Sequence, residues 1–330
     1  MLTVHSSTTH NEIAGDLSVA ALPQDAIWID LLNPEPPEVS FVERNTGLHV
    51  PTLDELSEIE SSSRLFTEGG ALYLSTPTVY RADANDPRST PVGFVLTRER
   101  LITVRYEPLV AFTTFIEHEA KATGAKASSS LIFVGLMDTM VDRMADVLEA
   151  VAAALESVAQ RIFRNEVSSA TSKHAPARES TSLRELLRQI GRNADLTSKI
   201  RDSLLGIGRI VPYVMGAEVD WIPAEVAQRL RTIRRDIASL SDYDVHLTNK
   251  VQLLLDATLG LINIEQNNII KVLTIVSVVG VPPTLVASIY GMNFKYMPEF
   301  NWSWGYPYGL AMIVLSAIVP LVWFKVRGWL

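Results

Sequence analysis

The chain has no cysteine among its 330 residues, which excludes disulfides and thiolate-held metal. Its six histidines (His5, His10, His49, His118, His174 and His246) show no HxxxH or HxxE spacing on a shared helix, so solvated or structural roles fit them better than a ligand cage. There is no GxxxxGK[ST] phosphate loop to drive transport with a nucleotide. Gly206 to Val211 supply only half of a dinucleotide-binding glycine pattern, late in a helical stretch. A basic surplus is missing too: the net charge of −8 disfavours a nucleic-acid partner and suits a molecule that attracts cations. The first 20 residues are polar and lack the apolar core of a secretory signal. Neither an enzyme nor an organic cofactor is expected.

Charge is also absent from two long runs near the end of the chain. Residues 272–294 carry none over 23 positions and residues 300–324 none over 25. A helix crosses a hydrocarbon core of about 30 Å with roughly 20 residues, so each run is long enough. The competing reading is a pair of buried core helices, but two such runs joined by a short loop fit a globular core poorly. As spans they place both chain ends on one side. Lys271, Lys325 and Arg327 flank the outer ends of the pair and put that side in the cytoplasm, with Lys295 in the loop as the one contrary count. The lipid bilayer of the cell (inner) membrane is therefore an expected partner.

The rest of the chain reads as α+β. Residues 26–32, 70–80, 92–97 and 101–106 are rich in β-formers, and "RER" joins the last two like a hairpin. "TLDELSEIE" (52–60) is acidic and helix-like, with Thr52 placed to cap it ahead of Glu55. From residue 109 the character is helical, and 131–162 repeats apolar residues at three- and four-residue spacing. The polar stretch 167–181 reads as a loop before a second helix over roughly 182–210. After Pro223 no proline appears until Pro282, and the 58 residues between them make a rod of about 90 Å. The resulting organisation is a cytoplasmic α/β domain (1–125), cytoplasmic helices and stalk (126–271), and two transmembrane helices (272–330) with an outer loop at 294–305.

A polar stripe runs along this rod. On a wheel of about 100° per residue, Asp256, Asn263, Asn267 and Thr274 fall within about 40° of one line, and Ser277, Thr284 and Ser288 continue it with Thr274 in an arc of about 80°. Small hydroxyl residues also serve simply to pack helices in membranes. A stripe continuous from the stalk into the span instead suits several copies facing one another around a channel. Ile270 and Val281 are then available as apolar constrictions. Two spans cannot enclose a pore, so a homo-oligomer follows.

The outer end of the first run reads "YGMNFKYMPE" (290–299), followed by "WGYP" (304–307) and a second run ending in "FKVRGWL". These motifs resemble the CorA family of magnesium channels, whose hallmark Gly-Met-Asn matches Gly291, Met292 and Asn293. The close match covers about the last 60 residues; the rest agrees in organisation only. The resemblance implies a homopentamer shaped as a funnel, stalk helices that continue into the pore, and a second span facing lipid. It puts the pore-lining threonine on Thr284, the polar ring on Asn267, the apolar gate on Leu273 and a deeper acidic ring on Asp256. Mg²⁺, with Co²⁺ and Ni²⁺, is then the expected cargo, and Glu299 adds negative charge at the entrance. Mg²⁺ is also the expected regulator, held between subunits by acids; Glu58, Glu60, Asp236, Asp242 and Asp244 are the candidates. A zinc-transporting branch of the same superfamily and a membrane-anchored oligomeric sensor or scaffold are the alternatives.

The stripe has a direct test in divalent-cation flux through reconstituted liposomes. Asn267→Leu should dry the pore and lower flux, whereas Asn268→Leu, about 100° away, should do much less. Equal effects would mean that the wheel has the wrong face.

Overall fold

A computed structural model of the chain describes all residues except 7–9, 13–20, 84–85, 120–127, 170–175, 218, 294–296 and 330. It divides into two compact units, Met1–Lys173 with Glu185–Leu255, and His174–Arg184 with Asp256–Leu330. The division falls near residue 255, within the long helix.

The first unit is built on a seven-stranded sheet of β1 (Leu2–Ser6), β2 (His10–Glu12), β3 (Ala26–Leu32), β4 (Leu65–Glu68), β5 (Ala71–Tyr80), β6 (Arg88–Leu96) and β7 (Leu101–Arg105). Its order is β2-β1-β3-β7-β6-β5-β4. All neighbours are antiparallel except β3 and β7, which pair in parallel with Asp30 beside Thr103 and Leu32 beside Arg105. One face is closed by α1 (Pro36–Thr46) and α2 (Leu53–Ser57), whose Phe41, Val42 and Leu56 join Tyr73, Val95, Ile102 and Val104 in one core. The strands at 26–32, 71–80, 88–96 and 101–105 fall where the β-formers concentrate.

Two local expectations change. The acidic helix ends at Ser57, although Thr52 and Glu55 do form its capping box. Glu58 is already extended (ψ 144°) and Ile59 is 84% exposed, so no apolar side chain anchors a further turn. A brief helix, α3 (Ser61–Arg64), follows. The stretch 167–181 is not a loop: α5 (Ser129–Ser169) runs into it from one side and α6 (Pro176–Gly216) begins within it, residues 170–175 lying outside the described ones. Pro176 opens α6, where its missing N–H leaves no intrahelical bond unmade.

Helices α4 (Val110–Glu119), α5 and α6 complete this unit. Phe133 of α5 meets Phe94 of β6 edge to face at 5.7 Å. On α6, a Cβ at Gly206 would fall on Thr76 Oγ1 and against Pro77 of β5, so only glycine permits this approach. The stalk helix α7 (Ala224–Tyr290) is one element of 67 residues. Within the first unit it is bonded to α5 and α6 through Lys250 to Glu156 (2.7 Å), Arg229 to Asp138 (3.1 Å) and Arg201 to Asp244 (2.7 Å). After a 3-10 turn at Pro298–Asn301 the chain ends in α8 (Gly305–Val326).

A buried ion pair ties the centre of the sheet together. Arg105 donates through Nη2 to Asp30 Oδ2 (2.7 Å) and through Nε to both carboxylate oxygens at 3.2 Å. Thr103 donates to Asp30 Oδ1 at 2.6 Å, and Trp28 Nε1 donates to Thr103 at 2.9 Å. Arg105→Met would strand a carboxylate that is 2% exposed, which costs about 3–5 kcal/mol. Thermal unfolding of the detergent-purified chain should show a large loss for Arg105→Met and recovery when Asp30→Leu is added. A double variant as unstable as the single one would contradict this account.

Candidate functional site

Tyr290 ends α7, and the chain tightens there before Asn293. The Gly291 N–H bonds Ala287 O at 3.0 Å, and the Met292 N–H bonds Ile289 O three residues back at 3.2 Å. A Cβ on Gly291 would stand 3.3 Å from Ala287 O and 3.6 Å from Ser288 O, crowding the last carbonyls of the helix. Gly291, Met292 and Asn293 are all exposed. Glu299 falls in the turn Pro298–Asn301, and its side chain lies outside the described residues.

Two helices are long and apolar enough to span a membrane: α7, through its C-terminal part, and α8. Along that part of α7 the half-buried positions include Lys271, Ile275, Val279, Pro282, Pro283, Val286 and Tyr290, a helical line of three- and four-residue steps. In α8 the covered positions are Gly305, Gly309, Ile313, Ser316, Ala317, Pro320 and Phe324, with the same period. The two lines face each other. At one end Tyr290 reaches Gly309, its ring atom 4.0 Å from where a Cβ would be. At the other, Lys271 Nζ stands 6.0 Å over the Trp329 ring. Small residues on α8 let the backbones approach. Gly305 and Gly309 form a GxxxG spacing visible in the sequence, and it passed unread.

The polar stripe lies on the opposite side. On the same wheel the line facing α8 and the hydroxyl residues of the span are roughly 150° apart. Asp256, Asn263, Asn267, Ser277, Thr284 and Ser288 lie along it with Leu273 (65% exposed) and Val281 (60%) beside them; Asn267, Ser277, Thr284 and Ser288 are exposed, and Thr274 is half-buried. Thr274 Oγ1 donates to Ile270 O and Thr284 Oγ1 to Val281 O, each at 2.8 Å. Their hydroxyl hydrogens are used inside the helix, which leaves oxygen lone pairs to accept from outside. Pro282 and Pro283 lie within the continuous helix, and as prolines they withhold the usual donors from Val278 and Val279 carbonyls.

The proposed regulatory acids are scattered. Glu58 and Glu60 are exposed between α2 and α3, and Asp236 and Asp242 are exposed on α7. Asp244 departs from the expectation of a surface acid: it is 1% exposed, with Arg201 Nε on Oδ2. Burial raises its pKa against the pull of Arg201, and no partner is found for Oδ1 among the described residues. Its place on α7 turns it inward to α6. Asp236 has company that the sequence displayed but the reading passed over. Asp138, Asp142 and Asp146 recur every four residues on α5, and Asp142 is raised by desolvation and then by Asp138, Asp146 and Asp236. Glu55 is engaged elsewhere, since His49 bridges it (3.2 Å) to Glu43 (3.0 Å). Desolvation opposes His49 protonation, but the two carboxylates prevail and raise its pKa. Among the described residues of one chain, no three His, Asp or Glu side chains converge as a metal site.

The family model described as "CorA-like Mg2+ transporter protein" matches residues 23–326. The chain is 33% identical over 306 residues to the magnesium transport protein CorA of Haemophilus ducreyi, covering 93% of this chain and 92% of that protein. It is 32% identical to the Yersinia pseudotuberculosis protein of the same name, covering 92% of both. Among solved structures, the complete CorA magnesium transporter of Methanocaldococcus jannaschii aligns with a TM-score of 0.73 at 18% identity, over 100% of this chain and 98% of that one.

Proposed function

The chain belongs to the CorA-like Mg²⁺ transporter family, and from that premise we propose that it forms a homopentameric channel admitting hydrated Mg²⁺ through rings of Asn293 and Gly291. Membrane transport of a divalent cation is the family's function; the filter, the subunit number and the orientation are our reading. One observation carries it: the polar stripe of α7 lies on the face that α8 leaves open, and it leads to the Gly-Met-Asn turn.

The chemistry suits this cargo. Mg²⁺ gives up its water reluctantly, so a selective ring must bind the hydrated ion. Neutral amide and carbonyl oxygens accept hydrogen bonds from that water, whereas a ring of carboxylates would hold the ion too tightly to release it. Below the filter, Ser288, Thr284, Ser277 and Thr274 offer hydroxyl acceptors. Val281 and Leu273 supply apolar constrictions, and Asn267, Asn263 and Asp256 continue the path. Glu299 attracts cations at the entrance. With both termini cytoplasmic in the inner membrane, uptake runs down the membrane potential. Co²⁺ and Ni²⁺, which are also divalent, belong to the same cargo class.

Replacing Asn293 with Ala should abolish Mg²⁺ uptake in liposomes while the oligomer persists in size-exclusion chromatography. Near wild-type uptake by an assembled Asn293→Ala protein would overturn the filter.

A voltage-driven channel overfills the cell unless it has a brake. Mg²⁺ bound between carboxylates of adjacent subunits fits that role, because without it like charges repel and the closed arrangement loses stability. The row of Asp138, Asp142 and Asp146 beside Asp236 supports it, as do the exposed Asp242, Glu58 and Glu60. Millimolar Mg²⁺ should protect the stalk from proteolysis, and neutralising Asp236 and Asp242 should remove the protection. Identical cleavage with and without Mg²⁺ would reject the brake and leave the pore reading intact.

A further inference from the structure

The end of α8 is folded into a defined cationic and aromatic turn. Gly328 sits at φ 71°, a left-handed conformation that glycine adopts without strain. Its N–H bonds Lys325 O (3.2 Å), and the Trp329 N–H reaches back to Phe324 O (2.9 Å). This closure stacks Trp329 on the buried Phe324, with centroids 5.5 Å apart, and brings its ring beneath Lys271 of α7. Beside it, the Arg327 guanidinium lies 5.2 Å over the ring of Trp323. Lys271, Lys325 and Arg327 thus gather at one level. No Asp or Glu occurs from residue 300 onward, and among the described residues no carboxylate pairs with these three cations.

We propose that this turn seats the phosphate of an anionic phospholipid in the leaflet that it faces, an inference that rests on the membrane reading above. A cation held over an aromatic face keeps N–H donors free, and Arg327 and Lys271 are both in that state. A free phosphate would find the same donors. The lipid is favoured because the surface that rises from the turn is apolar and open: Val326 is 82% exposed, Val319 58% and Val322 55%. Acyl chains can lie along those side chains while the headgroup is held below. Tryptophan belongs at this depth, where its apolar ring and polar N–H meet the boundary of the bilayer. The contact of Lys271 with Trp329 joins the turn to α7, so an occupied seat also ties the base of one span to the other.

Native mass spectrometry of the purified full chain in detergent, offered phosphatidylglycerol and phosphatidylcholine in equal amounts, tests this. The wild type should retain phosphatidylglycerol preferentially. Lys271→Gln with Arg327→Gln should lower that preference about 25-fold, since each cation near an anionic surface contributes about fivefold. Arg327→Lys should keep most of it, which separates lost charge from lost folding, and Arg188→Gln, on α6, should change nothing. Millimolar inorganic phosphate should not displace the lipid. Undiminished preference in the double variant, or displacement by inorganic phosphate, would overturn the proposal. The measurement needs no ion gradient, so failure of the filter prediction would not be mistaken for failure here.

Discussion

Polar side chains on a helix in hydrocarbon need a partner other than lipid. Here the covered line of the span, from Lys271 to Tyr290, is given to α8, and the hydroxyls and amides are left on the other side. The single chain therefore presents to its surroundings the face least suited to lipid. In the proposed assembly symmetric copies resolve that conflict, because each stripe would then face water shared with its neighbours. The proposed homo-oligomer and its pore both follow from this one constraint.

The same division of faces assigns different work to the two spans. Gly305, Gly309 and Ala317 make α8 a close-packing strut for α7, and its large apolar residues point outward. In the proposed pore, Pro282 and Pro283 would be tolerated within α7, because a helix lining water can have its freed carbonyls satisfied there. At the far end of the stalk, ion pairs of Lys250, Arg229 and Arg201 bond α7 to α5 and α6.

The fold class was legible in the sequence where physical signals were long. Runs of β-branched residues marked β3, β5, β6 and β7, and uncharged runs marked the spans. Shorter signals escaped: β1, β2 and β4 have at most five residues each, and α1 begins with two prolines that disguise a capping box. The loop reading of 167–181 failed because polarity was weighed above helix continuity. At the site, the stripe could be read from spacing alone, whereas the face that α8 covers depended on packing. GxxxG was its one local trace. The inward turn of Asp244 and the bridge of His49 could not be read, since each depends on which helix lies alongside.

Flux through liposomes holding only the purified chain, with a defined potassium diffusion potential, tests the central claim most directly. Moving a divalent ion through the membrane is worth about 4.6 kcal/mol per 100 mV, twice the single-charge value. A channel lined by the α7 stripe should admit Mg²⁺ at a rate that rises steeply as the interior is made negative and falls when the potential is collapsed. Mg²⁺ entry indifferent to the potential, or no entry through an intact oligomer, would contradict the account.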